Sequence, residues 1–272
     1  MHGCSESSVD SNPESNGVSK VAAKRLIVQA DDFGMCHAVN QGIAQSFQSG
    51  ILTQASAMAP CPWIAEAAVL AKQLEIPIGA HGTLTCEWDH LRWHPLTSGA
   101  SLSEPDGSMH RSLEDAIEKI DAEEAASELA SQVETLQTLG MIPSYLDCHM
   151  GPSTREGFEE ACRRSDLPFL YPLIDGCLKF DSIAMLSPIP AENKKGWLME
   201  RLEGIEEGVH LIVTHPAVRS PELRGIARPD AENFCWAEDY RISDLVVLLD
   251  SEVASRIEVL GIELVSVADL LV

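Results

Sequence analysis

The sequence predicts an α/β fold, specifically an irregular, TIM-like (β/α) barrel of seven or eight strands. Three observations lead there. The 272 residues suit one such barrel and can bury a large core. Short apolar runs alternate with amphipathic segments along most of the chain. Asp and His residues recur where the apolar runs end, the place where parallel α/β folds gather their reactive groups. An open, doubly wound sheet is the alternative, but seven or so strand-helix repeats suit closure better.

Residues 1–22 are rich in Ser, Asn and Gly without an apolar period, so a disordered polar tail is expected, followed by a single barrel domain over 23–272. Residues 25–30 (RLIVQA) form the first strand. A helix follows in which Val39, Ile43 and Phe47 share a face, and Gly50 stands at its C-cap. The next strand is 52–59 (LTQASAMA), then come a helix over 63–74 and a strand over 76–81 (IPIGAH). After a long connection, a Glu- and Ala-rich helix covers 113–139 and leads to the strand 144–149 (SYLDCH). The later units are a helix over 154–165, a short strand at 168–171, a helix over 191–204 and the strand 209–214 (VHLIVT). Two helices between 242 and 260 and a last strand at 262–267 complete the series. This alternation implies parallel pairing through right-handed crossovers. Neither an internal repeat nor a Gly-rich phosphate loop is present.

The formal net charge of −23 repels nucleic-acid backbones and anionic membrane surfaces, so both are discounted as partners. There is no long apolar run and no basic-then-apolar leader, which predicts a cytoplasmic protein. The eight cysteines include no C-x-x-C pair and are expected as free thiols, with Cys148 adjacent to a candidate ligand. Nothing in the composition speaks against a homodimer.

The strand-end rule selects few polar residues. The first strand ends in Asp31 and Asp32, strand 76–81 in His81, strand 144–149 carries Asp147 and His149, and strand 209–214 runs into His215. One carboxylate and two imidazoles commonly hold a hydrolytic metal with positions left for water and substrate. Zn suits the imidazoles best, and Mg, Mn, Co or Ni also fit such a set. Adjacent strand residues face opposite ways, so Asp31 and Asp32 can share the site only if the strand ends between them, with Gly34 making the turn. Otherwise one of them caps the following helix.

Ala30-Asp31-Asp32-Phe33-Gly34, followed by Val39-Asn40-Gln41-Gly42-Ile43, resembles the opening signature of the YdjC/ChbG-like carbohydrate deacetylases, which include HpnK-type proteins. Gly79-Ala80-His81-Gly82-Thr83-Leu84-Thr85, Tyr145-Leu146-Asp147-Cys148-His149 and Thr214-His215-Pro216 continue the likeness in order, from about residue 25 onward. The resemblance implies a deacetylase-type barrel that uses one divalent metal to remove an N-acetyl group from an amino sugar or short oligosaccharide. It implies Asp32, His81 and His149 as ligands, Asp31 as general base and His215, as imidazolium, as general acid. The sequence departs from the family pattern at Met150-Gly151-Pro152, at Ala217 and at His81-Gly82, where the sugar would sit.

The loops 82–112 and 216–240 are expected to overhang this site. They carry Trp88, Trp93 and Trp236, whose indole faces suit stacking on a sugar ring, together with Glu87. Arg241 is expected nearby, orienting Asp31. His90, His94 and His110 are read as loop residues, and Arg219, Arg224 and Arg228 as solvated charges or receivers of a substrate anion. Two other classes compete. A metal-dependent phosphoesterase commonly needs two ions and more ligands, and a non-catalytic sugar-binding barrel needs neither base nor acid.

Overall fold

The computed structural model describes residues 23–271, so the tail reading lies outside the described residues. The chain runs through β1 (Lys24–Phe33), α1 (His37–Ser49), β2 (Gln54–Ala57), α2 (Ile64–Leu74), β3 (Ile78–Gly82), α3 (Leu113–Lys119), α4 (Ala122–Thr138) and β4 (Pro143–Cys148). It continues through α5 (Arg155–Ser165), β5 (Ser182–Met185), α6 (Lys194–Glu203), β6 (Gly208–Thr214), α7 (Pro221–Arg224) and α8 (Phe234–Ala237). The last elements are α9 (Asp239–Leu248), α10 (Ser251–Val259), β7 (Ile262–Leu264) and α11 (Val267–Leu270).

All strand ladders are parallel, in the order β4-β3-β2-β1-β6-β5, with β7 paired to the first residues of β1. β1 is central because residues 26–33 are buried on both faces, as expected of a parallel strand covered by helices. Its outer layer is built as the apolar period required: Val39 and Ile43 of α1 are wholly buried in the core. Gly42 lets α1 approach the segment after β6, since a Cβ there would stand 2.4 Å from the Cα of Ala217. Among the described residues no helix is long and apolar enough to cross a membrane.

Three expectations change. The sheet is a seven-stranded half-barrel: no ladder joins β5 to the β4 edge among the described residues, so the closed barrel is not realised. The strand at 168–171 reduces to isolated bridges from Phe169 to Leu146 and Cys177, whereas β5, which the sequence reading passed over, pairs with β6. β5 is short and mostly exposed, so it lacks the apolar run that marks its neighbours. The single helix over 113–139 is two, because Asp121 turns the chain and accepts the N–H groups of Glu123 and Glu124 to start α4.

Candidate active site

The carboxyl ends of the strands open into a cleft of about 890 Å³. Asp31 and Asp32 reach it together for a reason other than the expected strand end. β1 continues through Phe33, but its register with β2 shifts between Ala30 and Phe33, and Asp32 sits at φ +70°. This bulge turns two successive carboxylates to the same side. Gly34 follows at φ +101°, and its N–H donates to Asn40 Oδ1 at 2.7 Å. Neither carboxylate caps α1, whose N-cap is Cys36.

Asp32 lies at the centre. Its Oδ1 is 3.5 Å from His81 Nε2 and 3.4 Å from His149 Nδ1, and it has no hydrogen-bond partner although it is buried. Its Oδ2 receives Nη2 of Arg241 at 2.7 Å. Burial works against charge on Asp32, but Arg241, His149 and His81 outweigh it and hold the carboxyl well below its usual range. Arg241 therefore serves Asp32, not Asp31, which corrects the expected pairing.

The far nitrogen of each imidazole is held by another carboxylate. His81 Nδ1 meets Asp147 Oδ1 at 2.7 Å, and His149 Nε2 meets Glu87 Oε2 at 2.9 Å. These contacts turn His81 Nε2 and His149 Nδ1 toward Asp32, the carboxylate-imidazole arrangement that orients metal ligands. Ligand atoms of Asp32, His81 and His149 all lie within 4.8 Å of one another. An unpartnered buried carboxylate oxygen facing two oriented imidazole nitrogens is a donor set that fits a divalent cation. The nearby carboxylates outweigh burial and raise His149 to about 9 and His81 well above the imidazole range. Burial pushes the Cys148 thiol well up, so it offers no competing thiolate at neutral pH.

Asp31 flanks this group. Burial raises its carboxyl to about 7, against the opposing pull of His81. Gln29 Nε2 donates to Asp31 Oδ1 at 2.7 Å and to Asp147 Oδ2 at 2.8 Å, and Ser56 donates to Asp147 Oδ1 at 2.8 Å. Gln29 Oε1 is in turn fixed by Tyr145 and Gln54.

His215 Nε2 stands 3.9 Å from Asp31 Oδ2. Its Nδ1 is 2.7 Å from Ser187 Oγ, which donates to Asp244 Oδ2 at 2.6 Å. The serine proton is thereby committed, so Nδ1–H donates to Ser187 and Nε2 carries the lone pair toward Asp31. Asp244 also receives the His215 backbone N–H at 2.8 Å and the buried ammonium of Lys194. Burial, reinforced by Arg241, His81 and His149 and opposed by Asp32, pushes His215 down to about 3. Before any reaction the ring is therefore neutral.

Of the five residues expected to touch substrate, Glu87, Trp88, Trp236 and Arg241 line the cleft. Trp93 does not. It stands behind His149 with ring centroids 5.9 Å apart, and its Nε1 donates to Thr85 O. Trp236 packs edge-on against His215 at 5.5 Å. Arg111 and Arg228 reach the rim but both lie against Asp89. His110 is tied to Glu104 and to the Ser101 carbonyl, a structural role. Sequence reasoning missed Gln29, Ser56, Ser187, Lys194 and Asp244. A polar Gln29 inside an apolar strand was the one available signal; the other four meet the site only through the fold.

Residues 25–259 match the model of a protein family described as YdjC-like protein. A carbohydrate deacetylase of Thermus thermophilus is 31% identical over 228 residues, covering 75% of this chain and 81% of that protein. A chitooligosaccharide deacetylase of Yersinia enterocolitica is 34% identical over 156 residues, but the match covers 56% of this chain and 54% of the relative. Among solved structures, an Enterococcus faecalis V583 protein named for cellobiose-phosphate cleavage aligns with a TM-score of 0.75 at 25% identity, covering 91% of this chain and 99% of the other. A peptidoglycan N-acetylglucosamine deacetylase aligns with a TM-score of 0.51 at 11% identity, covering 89% and 86%, a likeness of fold alone.

Proposed function

The chain belongs to the YdjC-like family, and on that premise we propose that it is a metal-dependent hydrolase that removes the acetyl group from the nitrogen of an N-acetylated sugar, with residues 23–272 acting as one catalytic domain. The observation that carries this reading is the meeting of Asp32, His81 and His149 around one point, with Asp31 and His215 beside it in an open cleft.

Asp32 Oδ1, His81 Nε2 and His149 Nδ1 would hold the ion, while Asp147 and Glu87 fix the two imidazoles. When bound, a divalent ion polarises the acyl carbonyl and lowers the pKa of a water from about 15.7 toward about 7. Asp31, buried and held by Gln29, takes the water proton as attack proceeds. His215 begins neutral with its Nε2 lone pair facing Asp31, so the proton that Asp31 takes from the water passes to Nε2 and from there to the departing nitrogen. Ser187 and Asp244 stabilise the imidazolium that forms transiently, through the Nδ1–H.

The phosphoesterase reading would need a second ion. The other candidate cluster among the described residues, Asp31, His81 and Asp147, shares His81, and its Asp31 Oδ1 and both Asp147 oxygens are already engaged by Gln29, Ser56 and His81. A passive binder would need neither Asp31 nor the relay behind His215.

Incubating protein supplemented with Zn, Mg, Mn, Co or Ni with N-acetylated mono- and disaccharides, and with sugar phosphates, tests the reading. Metal-dependent acetate release is expected. Release of phosphate alone would defeat it.

A further inference from the structure

We propose that Trp88 Nε1 and Arg241 Nη1 together receive the acyl oxygen of the substrate, an inference that rests on the deacetylase reading above. Among the described residues, the buried side-chain atoms without a partner are Asp32 Oδ1, Thr85 Oγ1, Trp88 Nε1, Arg92 Nε, Ser153 Oγ and Arg241 Nη1. Only three of them, Asp32 Oδ1, Trp88 Nε1 and Arg241 Nη1, belong to residues that line the cleft. Asp32 Oδ1 is an acceptor and suits the cation. The remaining two are N–H donors, and buried donors left without an acceptor are rare in folded proteins, so each calls for a ligand that brings oxygen.

The two side chains that carry these donors are neighbours. The Arg241 guanidinium carbon lies 5.8 Å from the centre of the Trp88 ring. Arg241 cannot swing away, because its Nε donates to the Trp236 carbonyl at 2.8 Å and its Nη2 to Asp32 Oδ2 at 2.7 Å. Two of its three nitrogens are thus committed, and the third is held in place beside the site. Trp88 is as fully buried as Arg241, at 1% exposure each.

Such donors matter most when charge develops. As the water oxygen bonds to the acyl carbon, the C=O π pair moves onto the acyl oxygen. When that pair re-forms C=O, the C–N pair leaves with the nitrogen, which takes a proton, giving amine and acetate. A fixed guanidinium and an indole N–H bind the charged oxygen more strongly than the neutral amide oxygen, which accelerates the step rather than only binding substrate.

Trp88→Phe tests this in the metal-loaded protein, because it keeps an aromatic ring beside Arg241 and removes the N–H. Incorporating 3-benzothienylalanine at position 88 is the second variant; it keeps the bicyclic shape without the donor. A fall in kcat of about 100-fold is expected, with KM, metal content and melting temperature unchanged. Acetate, titrated calorimetrically as a probe, should bind about tenfold more weakly, which is a loss of one bond-sized increment. Unchanged kcat and unchanged acetate affinity in either folded, metal-loaded variant would overturn the proposal. If the unaltered protein releases no acetate from any N-acetyl sugar, the deacetylase reading itself fails, and the acetate titration still decides the donor pair.

Discussion

Replacing Lys194 with Met puts the support of His215 to a quantitative test. Lys194 and Asp244 are both fully buried, and among the described residues the ammonium is the only cation against that carboxylate, which otherwise accepts from Ser187 Oγ and the His215 backbone N–H. Removing one partner of a buried ion pair costs about 3–5 kcal/mol because an uncompensated charge stays behind. The two remaining donors place the loss near the lower end, about 3 kcal/mol. For a chain of this size that corresponds to a fall in melting temperature of about 6–12 °C. The sign with pH follows from Asp244. Burial already raises its folded pKa above 3.8 despite Lys194, and the variant raises it further. A raised carboxyl contributes most to stability below its unfolded pKa, and that contribution is lost as pH rises through the folded value. The gap between variant and parent should therefore narrow on acidification and be widest near neutral pH. Calorimetry from pH 5 to 8 would show this, and Lys194→Met combined with Asp244→Asn should recover much of the stability. A single variant as stable as the parent, or a deficit independent of pH, would refute the reasoning.

Other outcomes follow from the same geometry. Asp31→Asn should keep the metal, measured by elemental analysis, and lose roughly 100-fold or more in turnover; in the parent, kcat/KM should rise with pH through about 7 as the carboxylate forms, and this limb should vanish in the variant. Ser187→Ala should lower kcat more than KM and weaken the preference for the Nδ1–H tautomer of His215, visible in its imidazole nitrogen resonances. Chelation should abolish acetate release and lower the melting temperature together, with both restored by added Zn; activity that survives chelation would exclude the metal site as the source of chemistry.

The candidate site residues were legible because parallel α/β topology makes the strand end a privileged address. Asp31, Asp32, His81, His149 and His215 all stand just at or after apolar runs, and the fold delivers all five to one cleft. The apolar runs Leu26–Val28 in β1 and Leu211–Val213 in β6 were likewise clear, since buried parallel strands are largely apolar on both faces. Where the local signal was weak, the reading faltered. β5 is a four-residue edge strand with little to bury, and Asp121 breaks a helix whose composition alone would let it continue.

By itself, the order of residues determined most of the strand-helix alternation, the acidic balance and which five Asp and His side chains the fold would bring to one cleft, because these depend on local periodicity and on where the apolar runs end. Tertiary structure alone decided the partners. A bulge, not a strand end, aligned Asp31 with Asp32; Arg241 went to Asp32; Trp93 went behind His149; and Ser187, Asp244 and Lys194 closed around His215. Apart from the adjacent aspartates, those pairings join positions about twenty or more residues apart, and the burial that sets their charge states exists only once the sheet and its helices have packed.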